Sequence, residues 1–256
     1  MQSQLEKRKL KDTQRISSPM SARWWKEKQS NLSKRQRQLI KDLFPLYGIV
    51  LQYGKPLDPS DASIFPPRET SGKVILDIGF GLGDSLLHFA SSRKDDNVIG
   101  IELLQAGIAQ ALEQIHEQRL KNVKIVRCDV TLLFSQNLID ACVDETFILF
   151  PDPWPNVARD AQRRVIRPDT LDLLERKMKK GGKLSIVTDV YEYAEYVCCL
   201  LQERGRWALL SSTVSEPLLS GENRTLNFPE TKYETKAKEL GHNVYSLVYK
   251  LTNSVQ

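Results

Sequence analysis

"VILDIGFGLGDSLLHFA", Val74 to Ala90, changes its periodicity partway along. Val74-Ile75-Leu76 is an apolar run with the β-branched bias of a strand covered on both faces. After Asp77 come Gly79, Gly81 and Gly83, and then Leu86, Leu87, Phe89 and Ala90 at helical spacing. Strand, glycine turn and helix in that order put a tight bend at the carboxyl end of a strand, where open α/β sheets receive ligands. The dinucleotide fingerprint GxGxxG needs glycine at 84, where Asp84 stands. A carboxylate at a helix N-terminus repels a pyrophosphate and suits an ammonium or a sulfonium, so a nicotinamide dehydrogenase is disfavoured.

Outward from this stretch the pattern repeats. Val98 to Ile101, Val123 to Arg127, Phe147 to Phe150 and Leu184 to Thr188 read as further strands separated by helix-compatible segments. That βαβ series predicts an α/β, Rossmann-like sheet, mostly parallel, with helices on both faces. Trp207 to Thr213 and Val244 to Leu251 add two strand-like runs around a Gly/Pro-containing insertion. Seven strands are expected, the last two available for antiparallel pairing.

Three more acids end strands. Glu102 lies 19 residues after Gly83, at the distance where a carboxylate meets ribose hydroxyls. Asp129 closes "KIVRCDV", where an acceptor can meet an exocyclic amine. Asp152 sits in "FILFPDPWPNVARDAQRRVIRP", Phe147 to Pro168, held between two prolines that cannot donate to a sheet ladder. Asp77, Glu102, Asp129 and Asp152 are therefore expected along one crevice.

The charge is uneven. Residues 1 to 45 hold 12 basic and 4 acidic side chains, whereas the remaining 211 residues hold 25 and 28. Residues 1–31, too polar to fold alone, read as a basic flexible arm. Residues 32–72 read as a docking helix and linker, the helix capped by Ser33 and ending at Pro45, and the loop at 54 to 72 rich in Gly and Pro. Residues 73–256 read as the Rossmann-like domain. Trp24 and Trp25 read as anchors of the arm more than as base-stacking groups.

Four cysteines without a CxxC pair, and His88, His116 and His242 scattered as packing residues, predict no metal site. No apolar run approaches the roughly 18 residues needed to span a bilayer, and Met1 to Met20 lacks a secretory core. The expectation is an intracellular, soluble protein, cytoplasmic by default. Glu6 and Asp12 argue against a transit peptide but leave an organellar address open.

The glycine loop and strand-end acids resemble class I methyltransferases that use S-adenosylmethionine. "FPDPWP", "RRVIRPDTLDLL", "GGKLSIVTDVYEYAEYV" and "TKYETKAKELGHNVYSL", in that order, resemble the bacterial-type tRNA (guanine-N7-)-methyltransferase family over roughly residues 35 to 251. The resemblance implies methyl transfer to guanine N7 of tRNA, at position 46 of the variable loop. It places Asp77, Glu102, Asp129 and Asp152 at the cofactor, with Asp152 also catalytic, while Gly79, Gly81 and Gly83 are expected to bind it by letting the backbone approach closely. It places Asp189, Thr231, Lys232, Tyr233 and Glu234 at the guanine.

Thr231 to Glu234 also fits a helix capping box that Gly241 would close, and one segment can do both. Asn156 stands where the family commonly has a substrate-contacting lysine, so phosphate contacts there are expected to be weaker, with the arm compensating. Arg159, Arg163, Arg164 and Arg167 form a second basic candidate surface. Two rivals remain at this point: an RNA methyltransferase acting on an exocyclic amine, and a non-catalytic RNA-binding subunit that retains a cofactor pocket.

Overall fold

Ser33 opens the first helix among the described residues as its sequence requires. Its hydroxyl accepts from the Gln36 N–H at 3.1 Å while the Gln36 side chain accepts from the Ser33 N–H at 2.9 Å, a complete capping box. The computed structural model describes residues 32–67, 72–215 and 231–252. The arm with Trp24 and Trp25, and the insertion at 216–230, lie outside the described residues.

Helix α1, Lys34–Tyr47, runs past Pro45, where the sequence predicted its end. Proline forfeits one backbone bond, but it stands so near the C-terminus that little of the ladder depends on it. Leu43 and Tyr47 gain packing in return, Tyr47 reaching the His116 ring at 3.1 Å. Strand β1, Gly48–Ile49, follows directly and pairs in parallel with β4. It makes the sheet eight-stranded rather than seven; two residues are too short to leave a periodic signature.

The rest of the sheet follows the predicted alternation: β2 Val74–Ile78, β3 Asn97–Ile101, β4 Val123–Val126, β5 Val143–Leu149, β6 Met178–Thr188, β7 Trp207–Ser215 and β8 Val244–Leu251. Their order is β1-β4-β3-β2-β5-β6-β8-β7, parallel through β6. β8 pairs antiparallel with both β6 and β7. β6 begins earlier than expected; Gly181 and Gly182, residues that depress strand propensity, sit inside it and hide its first half from the sequence pattern.

All five residues of β2 are buried, and alternate side chains feed two cores. Ile75 packs with helices α2, Asp84–Ser92, and α3, Gln105–Glu117. Leu76 packs with α4, Val130–Gln136, α6, Pro168–Lys177, and α7, Tyr191–Glu203. Each fully buried large apolar side chain contributes about 1.5–3 kcal/mol, so two covered faces make the central strands the most strongly held part of the fold. A short helix α5, Val157–Asp160, precedes α6, and α8, Lys232–Glu239, precedes β8.

Residues 54 to 67 hold no helix or strand, yet they are not a free spacer. Leu57 and Phe65 are buried, and Leu57 exchanges backbone bonds with Asn137 at 2.8 Å and Ile139 at 3.2 Å. Among the described residues no helix is long and apolar enough to cross a membrane.

Candidate active site

The bend after β2 is set by three glycines with positive φ: Gly79 at 74°, Gly81 at 59° and Gly83 at 101°. A fourth, Gly107 in α3, was missed in the sequence because its neighbours there are helical. A Cβ at Gly107 would stand 1.9 Å from the Gly81 carbonyl oxygen, so α3 fits against the loop only with glycine at this point.

Asp77 ends up fully buried behind the loop. Its Oδ2 accepts from the Ser85 hydroxyl at 2.6 Å, and its Oδ1 has no hydrogen-bond partner among the described residues. Burial pushes its pKa up to about 7, against the Ser85 bond that favours the anion, with the Glu102 charge adding to the rise. Glu102, at the end of β3, accepts from three backbone amides: Leu103 at 2.6 Å, Leu104 at 2.9 Å and Gly81 at 3.0 Å. Burial raises its pKa, the three amides oppose the rise, and the charge of Asp152 adds to it. Asp129 caps α4, its Oδ1 taking the Thr131 N–H at 2.8 Å and the Thr131 hydroxyl at 2.5 Å. That role was not anticipated, although Asp ahead of a helix is a strong capping signal.

The proline-flanked aspartate lies three residues beyond where the strand ends. β5 stops at Leu149, because Phe150 adopts φ 48°; Trp154 adopts φ 43°. Asp152 itself is exposed. Arg164 holds the loop from beneath. It is buried, donates to the Pro153 carbonyl at 2.9 Å and the Trp154 carbonyl at 3.2 Å, and lies over the rings of Tyr196 and Tyr193 at 4.4 and 5.3 Å. Arg164 is therefore withdrawn from the basic surface expected from the sequence. Arg163 stacks on Trp154 at 3.6 Å, and buried Asp160 pairs with both Arg159 and Arg163, at 2.7 and 3.3 Å. Arg167 pairs with Asp169 at 2.8 Å. Asn156 accepts from the Arg159 N–H at 3.1 Å and so caps α5.

The C-terminal box comes to the same crevice. Thr231 caps α8, accepting from the Glu234 N–H at 3.2 Å; Glu234 is buried and its Oε1 stands 3.3 Å from Lys238 Nζ. The Lys232 N–H reaches Asp84 at 3.4 Å, tying the start of α8 to the glycine loop. Tyr233 lies over Gly81, with Cε2 3.3 Å from where a Cβ would be, and stacks beside Phe150 with ring centroids 6.4 Å apart. Burial raises the Tyr233 pKa, and the charges of Asp152 and Glu102 raise it further, so all three groups feel one another. Phe150 and Tyr233 face a common cleft between the glycine loop, the end of β5 and α8. Asp189, after β6, accepts from His242 at 3.2 Å, whereas the sequence had left His242 as packing.

A glycine bend over a buried acid, acids at three successive strand ends, and a parallel sheet closed by an antiparallel β8 define a class I methyltransferase. Solved structures agree on the fold: one described as an antibiotic related methyltransferase shares 17% identity, with a TM-score of 0.54 over 79% of this chain and 100% of the other. A family model described as "Putative methyltransferase" matches residues 71–247. The tRNA (guanine-N(7)-)-methyltransferase of Nitrosococcus oceani is 34% identical over 87% of this chain and 88% of its own length. That of Methylobacillus flagellatus is 35% identical over the same shares. The chain belongs to the tRNA (guanine-N(7)-)-methyltransferase family.

The orphaned Asp77 oxygen carries a consequence for pH. In the folded chain Asp77 keeps its proton up to about pH 7, whereas an unperturbed aspartate loses it near 3.8. A raised folded pKa gives stability that is present at low pH and lost as pH rises through about 7. A cationic ligand reverses the preference, because it favours the aspartate anion. Affinity for such a ligand is expected to climb by up to about tenfold per pH unit below 7 and to level off above it. Calorimetry across that range in buffers of different ionisation enthalpy measures both the slope and the proton release; a flat profile would detach Asp77 from the ligand.

Proposed function

We propose that this chain transfers the methyl group of S-adenosylmethionine to N7 of a guanine in tRNA, at position 46 of the variable loop. The observation that carries the proposal is the convergence of Asp77, Glu102, Asp152 and the Thr231–Glu234 box on one crevice in a chain of this family.

The donor set suits the cofactor. Asp77, with a free buried oxygen, and Glu102 would hold a ligand that combines cationic groups with ribose hydroxyls, and Gly79, Gly81 and Gly83 let the backbone approach it. Asp129, though it caps α4, remains at the strand end proposed for the adenine. When bound, S-adenosylmethionine supplies an electrophilic methyl on a sulfonium.

The protein's task is then positioning. Guanine N7 carries an available lone pair at neutral pH, so no base needs to take a proton before attack. Asp189 and Thr231, Lys232, Tyr233 and Glu234 would hold the purine, and Tyr233 beside Phe150 offers it an aromatic face. Holding N7 in line with the methyl supplies most of the acceleration. The methylated purine is cationic, and Asp152 faces that developing charge. Asn156 would meet the substrate at the same rim, with less reach than a lysine. Residues 1–31 would serve as the basic arm, 32–72 as its docking helix and linker, and 73–256 as the catalytic domain. Four cysteines, all unpaired, suit the cytoplasm.

The test is incubation of the purified chain alone with labelled cofactor and bulk unmodified tRNA, followed by nucleoside analysis. Label in 7-methylguanosine supports the proposal. Label in an exocyclic N-methyl nucleoside, or no label despite cofactor binding, would overturn it.

Glu102→Ala is expected to weaken S-adenosylmethionine by about 2 kcal/mol, the range of charge-assisted bonds. It also releases the Gly81 amide, so the glycine loop loses a tether with the ligand. Wild-type affinity by calorimetry would remove Glu102 from the site.

A further inference from the structure

His242 stands where two backbones are fixed independently. On one side α8 closes with a paired C-terminal motif: the Gly241 N–H donates to the Lys238 carbonyl at 3.0 Å and the His242 N–H to the Ala237 carbonyl at 2.9 Å, with Gly241 at φ 74°. That places His242 at a set point after the helix that carries Thr231 to Glu234. On the other side, Thr188 pairs with Tyr245 in the β6–β8 ladder, and its hydroxyl accepts from the Val190 N–H at 3.2 Å. That fixes the turn from which Asp189 projects. Nδ1 of His242 and Oδ2 of Asp189 meet across the gap at 3.2 Å, and His242 is the one hydrogen-bond partner of Asp189 among the described residues. The Tyr191 and Tyr245 rings, 5.7 Å apart, pack across the same junction.

We infer that His242 is a positioning residue for the tRNA base: it holds Asp189 with one oxygen occupied and the other presented to the guanine, and joins the β6–α7 turn to α8 as one base pocket. The inference rests on the reading of Asp189 and the Thr231 box as guanine-binding. An ionised aspartate only accepts, so the Nδ1 of His242 must donate. The donor is directional and its backbone is held by the turn behind it, which limits rotation of the Asp189 carboxylate as a source of misalignment. The pair is half exposed, 49% for the histidine side chain and 29% for the aspartate, so its effect on fold stability is small. A role in orientation and a role in folding therefore separate experimentally.

The experiment is single-turnover methylation, tRNA KM, cofactor affinity and thermal unfolding for His242→Ala, His242→Asn, Asp189→Ala and the double variant. His242→Ala is expected to lower the single-turnover rate roughly tenfold with unchanged cofactor affinity and melting temperature. His242→Asn, whose amide donates from near the Nδ1 position, is expected to recover to within about threefold of wild type. In the Asp189→Ala background the His242→Ala change is expected to cost nothing further. An equal additional loss in that background, or asparagine as harmful as alanine, would overturn the positioning role. A wild-type rate for Asp189→Ala would remove Asp189 from the base pocket and take the inference with it.

Discussion

Asp152→Asn is expected to lower single-turnover methylation of unmodified tRNA by about tenfold to a thousandfold at saturating cofactor, the span set by loss of one electrostatic stabiliser. The substitution keeps shape and removes the anion. What remains in the crevice is Glu102, a carboxylate that already accepts from three backbone amides. Cofactor affinity should fall less than turnover. Because N7 needs no deprotonation, the proposed role asks Asp152 for a fixed charge and not for proton transfer. Methylation at the wild-type rate by the asparagine variant would reduce the proline-flanked motif to a strand terminator.

Arg164→Met is expected to lower turnover by about a hundredfold, the cost of a misplacement of roughly 1 Å at a reacting centre. The guanidinium bonds two consecutive carbonyls, those of Pro153 and Trp154, directly after the aspartate. Methionine fills space over Tyr193 and Tyr196 but donates nothing. Stability should fall by about 2–3 kcal/mol, since hydrogen bonds from a charged donor contribute about 1.5–3 kcal/mol each and the removed charge no longer needs solvation. Arg164→Lys should restore little, because a single ammonium cannot reproduce the planar fork. Urea unfolding with single-turnover kinetics separates the two effects. A destabilised variant with normal turnover would leave Arg164 as a structural residue.

What the sequence made legible followed from periodicity. β2, the glycine bend and the helix behind it were readable because Val74 to Ala90 changes period within one stretch. So was the antiparallel end of the sheet, although not the insertion of β8 between β6 and β7. Arg164 was not readable: inside a run of arginines a buried guanidinium looks like every solvated one, and only the return of the chain beneath Pro153 tells them apart. Gly107 and His242 were hidden for the same reason, since both matter through contacts with residues 26 and 53 positions away, Gly81 and Asp189. Asp129 and Asn156 lay at recognisable capping positions, but their value as caps was masked by the chemistry expected of them.

Phe150 and Trp154 carry one more implication. Neither is glycine, yet both sit in left-handed backbone conformations that cost ordinary residues about 1–2 kcal/mol each, and Asp152 lies between them. Under the role proposed for Asp152, the loop is a place where the fold gives up stability to aim a side chain. Selection for thermal robustness alone would favour glycine at 150 or 154, where that backbone is free of penalty. It would also enlarge the ensemble of loop shapes, and the rate would fall with it. Thermostable variants of this enzyme are therefore better sought in the sheet edges and surface helices than at the proline loop, where relief of the backbone and loss of aim come together.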